Sequence, residues 1–65
     1  MPRLGDVIRT LREQRGLTQV QLAAKAKLAQ SYLAHLERGE KQNPSVLTLR
    51  KLAKALTVTL PELLK

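Results

Sequence analysis

Residues 17 to 39 read LTQVQLAAKAKLAQSYLAHLERG, and this stretch decides the fold. Thr18 is suited to cap a helix through its hydroxyl. Gln21, three residues on, is placed to reach back to the cap's own amide. Leu22, Ala23 and Ala26 then fall on one inner stripe, and Leu33 and Leu36 do the same on a second helix running from about Gln30 to Arg38. Small alanines let the two helices approach closely. Ala26, Lys27 and Leu28 form the turn between them, and Gly39 suits a left-handed end to the second helix. With Leu33 and Leu36 turned inward, Gln30, Ser31, Tyr32, Ala34 and His35 face outward or lie at the edges.

Working outward, Leu4, Ile8 and Leu11 are spaced four and three apart and Gly16 follows, so the spacing predicts a first helix over Leu4 to Arg15. Beyond a polar loop, Ser45 or Asn43 caps a helix carrying Val46, Leu49, Leu52, Ala53 and Leu56 at core spacing and ending near Leu56. Thr59 and Glu62 repeat the capping-box pattern, with Pro61 tolerated in the first turn. The expectation is an all-α, five-helix single domain over residues 1–65, with helices 2 and 3 forming a helix-turn-helix.

A chain of 65 residues buries only about 60 % of its unfolded surface, so low stability or dimerisation is expected. Without cysteine there are no disulfides and no thiolate metal sites. No apolar run approaches ~18 residues, and the opening residues lack an apolar stretch of signal-peptide length. A cytoplasmic, nucleoid-associated protein with no membrane partner is therefore expected. Twelve Lys and Arg against five Asp and Glu give a net charge of +7, whose natural partner is a polyanion.

In a DNA major groove a glutamine pairs with adenine through two hydrogen bonds, a serine serves either base, and an aromatic surface touches a thymine methyl. Gln30, Ser31 and Tyr32 supply all three in the first turn of the second helix of the pair. Tyr32, the chain's only aromatic, either reaches DNA or leans on the domain. Arg9, Lys27, Arg38 and Lys41 flank this face and are candidate phosphate contacts, whereas Lys51, Lys54 and Lys65 read as a solvated face. A lone histidine makes no metal site. Ser31 and His35 lie four apart on one helix, but no second histidine exists and Asp6 falls on another helix, so no enzyme is expected. No cofactor or small-molecule substrate is implied.

From Leu4 to Leu64 the chain resembles the Cro and phage-repressor type of helix-turn-helix family, the XRE family. The resemblance rests on Leu-Gly-x-x-Ile-Arg-x-Leu-Arg (Leu4 to Arg12), Gly-Leu-Thr-Gln (Gly16 to Gln19) and Leu-Ala (Leu22, Ala23). It continues through Leu-Glu-Arg-Gly (Leu36 to Gly39), Pro-Ser (Pro44, Ser45) and Leu-Ala-Lys-Ala-Leu (Leu52 to Leu56). It implies a small transcriptional regulator, a repressor in the leading reading. Such a protein binds double-stranded DNA as a homodimer on a palindromic operator, its recognition helix (about residues 30–38) lying in the major groove. Gln30, Ser31 and His35 match the family's base-contacting positions. Gln19 matches a glutamine that contacts a backbone phosphate and steadies the one corresponding to Gln30, and it also sits at a helix start that favours an anion. Arg12 and Glu37 match an architectural ion pair. For a dimer surface the candidates are Leu47, Leu63 and Leu64, with Leu60 closing the monomer's core. The alternative is an antitoxin-like module whose main partner is another protein.

Three departures bear on stability. The family usually has glycine where this chain has Lys27 and Thr57, and Ala29 stands where a Ser or Thr commonly caps the recognition helix. The loop Glu40 to Asn43 is also one residue longer than the commonest form.

Overall fold

Among the described residues, three of the five helices start at a side-chain cap and four stop at a left-handed residue. The structure, a computed structural model, describes residues 3–40 and 44–64. It contains α1 (Leu4–Gln14), α2 (Gln19–Ala26), α3 (Gln30–Glu37), α4 (Val46–Leu56) and α5 (Leu60–Leu63). All regular structure among the described residues is helical. Thr18 accepts from the Gln21 amide at 3.1 Å while Gln21 Oε1 accepts from the Thr18 amide at 2.9 Å, completing the box at the start of α2. The same reciprocal box joins Thr59 and Glu62 at α5. Ser45 is the cap of α4, accepting from the Thr48 amide at 3.1 Å, and Asn43 lies outside the described residues.

Four helices end in one way. At Gly16, Lys27, Gly39 and Thr57 the backbone turns left-handed, with φ of 67°, 57°, 81° and 56°. The following amide then reaches back five residues: Leu17 to Arg12 O, Leu28 to Ala23 O, Glu40 to His35 O and Val58 to Ala53 O, at 2.8 to 3.1 Å. This pattern satisfies carbonyls that a helix end would otherwise leave unpaired. Ala26 closes α2 instead of joining the turn, which consists of Lys27, Leu28 and Ala29.

Two of these four positions therefore hold residues that pay for a left-handed backbone, about 1–2 kcal/mol each. Ala29 caps α3 with no side-chain hydrogen bond. Lys27→Gly and Ala29→Ser are each expected to stabilise the domain by about 1 kcal/mol, raising Tm by roughly 4–8 °C in thermal denaturation. A fall in Tm for both would contradict this turn geometry.

The core consists of Ile8, Leu22, Ala23, Ala26, Leu33, Leu36, Leu49, Leu52, Ala53, Leu56 and Leu63. Helix α2 packs on both α3 and α4, α1 on α3, and α5 closes the base against α1 and α4. Two apolar positions depart from expectation. Leu63 is fully buried, so it does not belong to a dimer surface: it lies three residues after Leu60, on the inner side of a single-turn helix, and Leu64 is rotated outward. Val46 is exposed because it is the first residue of α4, beyond the reach of the core.

Candidate nucleic-acid interface

The second helix of the motif, α3, is locked to α1 by a largely buried charge pair. The Arg12 Nε donates to Glu37 Oε2 at 2.7 Å and Nη2 donates to Glu37 Oε1 at 3.1 Å, while Nη1 donates to the Leu17 carbonyl at 2.8 Å. Their side chains are 12 % and 2 % exposed. One guanidinium thus ties α1, the loop before α2 and the end of α3 together. Hydrogen bonding to Glu37 raises the Arg12 guanidinium above its ordinary pKa, outweighing the burial that lowers it.

Gln19 joins this network, its Nε2 donating to Glu37 Oε1 at 3.1 Å. The resemblance places it against Gln30, but no hydrogen bond between the two exists among the described residues. The cause is Glu37, whose second lone pairs on Oε1 need a donor at this depth. Gln19 remains half-buried at the first turn of α2, with its amide oxygen and one amide hydrogen outside that bond.

On this base α3 presents its outer row. Gln30 and Ser31, in the first turn, are exposed. His35 lies four residues after Ser31 on the same face, its side chain 41 % exposed. Tyr32 is half-buried and packs against the core, so much of its ring leans on the domain. Arg9 is exposed on α1 and paired with Asp6 at 2.9 Å. Lys27 is exposed at the left-handed end of α2. Lys41 lies outside the described residues.

Glu40 is the participant that sequence reasoning missed. Its Oε2 accepts from Arg38 Nε at 3.1 Å, and its Oε1 accepts from Arg38 Nη2 at 3.3 Å and lies in hydrogen-bond contact with His35 Nδ1. Hydrogen bonds from Arg38 and then His35 hold its carboxyl below the usual carboxylate range. The signal available was an acid two residues after Arg38 and five after His35, across a glycine that turns the chain back.

This is two short helices at a tight turn, anchored from behind by an ion pair and carrying an exposed polar row, and residues 8–63 match the family described as Helix-turn-helix. The chain belongs to the helix-turn-helix family. Among its relatives are a phage repressor and several transcriptional regulators. An immunity repressor protein of Bacillus phage phi105 is 51 % identical over 55 residues, which are 85 % of this chain and 38 % of that protein. The uncharacterized HTH-type transcriptional regulator y4dJ of Sinorhizobium fredii is 45 % identical over 60 residues, 92 % of this chain and 77 % of that one. The chain thus spans less than two-fifths of the phage repressor's length. Among solved structures, the biofilm regulator SinR in complex with DNA superposes with a TM-score of 0.92 at 37 % identity, covering 95 % of this chain and 98 % of that one. The restriction-modification controller protein C.AhdI of Aeromonas hydrophila does so with a TM-score of 0.88 at 40 % identity, covering 92 % and 89 %. Among the described residues no helix is long and apolar enough to cross a membrane.

Proposed function

We propose that this helix-turn-helix chain is a sequence-specific regulator of transcription, a repressor, that inserts the start of α3 into the major groove of double-stranded DNA. The observation that carries the reading is the exposed row Gln30, Ser31 and His35 on a helix whose far end is pinned by Arg12 and Glu37. Rigid support matters because base discrimination needs side chains held in register. In this reading Gln30 and Ser31 meet base edges, His35 reads one turn further, and the exposed edge of Tyr32 touches a thymine methyl. Gln19, Arg9, Lys27, Arg38 and Lys41 meet phosphates and set the register.

The same reading makes the protein a homodimer on a palindromic operator with half-sites about 34 Å apart. Leu47 and Leu64, 64 % and 53 % exposed, are the apolar side chains offered for the dimer surface. Sedimentation at micromolar concentration is expected to give a dimer that Leu47→Glu converts to monomer. Titration of a bound duplex at about 50 and 200 mM salt is expected to show affinity falling by orders of magnitude, with the logarithmic slope reduced by about one per protomer in Arg38→Ala. A binding constant indifferent to salt would exclude the proposed phosphate contacts.

A further inference from the structure

His35 has two ring nitrogens, and the structure distinguishes them. Nδ1 faces the Glu40 carboxylate, while Nε2 has no hydrogen-bond partner among the described residues. An ionised carboxylate only accepts, so this contact requires the proton on Nδ1. Arg38 Nη2 stands 3.2 Å from the same Nδ1, but a guanidinium only donates and cannot bond a nitrogen that already carries hydrogen. Both donors therefore converge on Glu40 Oε1. The lowered carboxyl pKa keeps Glu40 in the accepting form.

We infer that Glu40 sets the base preference of His35 by fixing its tautomer, so that the neutral ring offers Nε2 to DNA as an acceptor. The inference rests on the proposed base contact of His35. An acceptor at this place selects an exocyclic amino group, on adenine or cytosine, and rejects the oxo group that guanine or thymine carries at the corresponding ring position. Glu40 is thus a positioning residue, acting through His35 without touching DNA. Removing it reverses the logic. Arg38 is then free to donate to Nδ1, which pushes the proton to Nε2 and turns an acceptor into a donor that favours guanine or thymine.

The tautomer is directly observable because His35 is the only histidine in the chain. Nitrogen NMR of the free protein at about pH 8.5 reports which ring nitrogen carries the proton. Wild type is expected to carry it on Nδ1 and Glu40→Ala on Nε2. DNA selection at the same pH, with wild type, His35→Ala and Glu40→Ala, supplies the second reading. His35→Ala marks the base position that this residue reads. There wild type should prefer the amino-bearing base by about tenfold over its oxo counterpart, and Glu40→Ala should abolish or invert that preference. If His35→Ala relaxes no position, the base contact itself fails. If it relaxes one that Glu40→Ala leaves unchanged, or if the wild-type ring is protonated on Nε2, the contact stands and the role of Glu40 is overturned.

Discussion

Glu37→Ala is expected to destabilise the domain by about 3–5 kcal/mol. The substitution leaves the Arg12 guanidinium with a 12 % exposed side chain and no counter-charge, and it strips Gln19 of its acceptor. Breaking a buried pair by removing one partner costs about 3–5 kcal/mol, a large part of the stability of so small a domain. Arg12→Ala should do the same, with the Leu17 carbonyl losing its side-chain donor as well. Thermal denaturation followed by circular dichroism is expected to show Tm lower by roughly 15–30 °C in either variant. Replacing both members by apolar residues, Arg12→Met with Glu37→Leu, should recover much of the loss, because the desolvation of two charges disappears with the pair. Asp6 and Arg9 supply the contrast. Their side chains are nearly half exposed, and Asp6→Ala should cost under 1 kcal/mol. A fall below about 5 °C for Glu37→Ala would mean that the pair behaves like that surface bridge.

Gly5→Ala is expected to destabilise the protein even though alanine is the better helix former. A Cβ at position 5 would lie 2.2 Å from the Leu36 carbonyl oxygen and 2.8 Å from that of Glu37. Both are backbone atoms at the end of α3, so neither can rotate away. The helices must separate, and the shift carries Arg12, on α1, away from Glu37. Overpacking typically costs 1–3 kcal/mol, against about 1 kcal/mol gained in helix propensity. The expected net result is a Tm lowered by about 5–15 °C in thermal denaturation, while a peptide spanning residues 3–15 becomes more helical with the same change. An unchanged or raised Tm in the whole domain would show that α1 and α3 have room to spare.

What could be read in advance was local. Capping boxes, the left-handed end at Gly39, and the inner stripes of α2 and α3 depend on residues within one turn of each other and appear in the structure where the sequence puts them, whereas the left-handed ends at Lys27 and Thr57 were legible only through the glycines the family carries there. The Arg12 and Glu37 pair, 25 residues apart, became legible only through the family resemblance. Tertiary placement escaped. Leu63 faces inward because α5 returns to α1 and α4, and no local pattern separates it from Leu64. Gln19 turns to Glu37 because that carboxylate is buried and needs donors. Gly5 carried a clue, since glycine inside a helix is costly and its presence marks a close approach. Glu40 carried less, being an acid in a polar loop until the turn at Gly39 brings it back to His35 and Arg38.

Base reading by α3 depends most on Gln30. Selection of bound duplexes from a random pool, run in parallel with wild type and Gln30→Ala, tests it most directly. Wild type is expected to yield a palindromic consensus, with a symmetric pair of positions relaxed in Gln30→Ala and the remaining positions kept. Enrichment of no sequence by the folded wild-type protein, or an identical consensus from both proteins, would contradict base reading by α3.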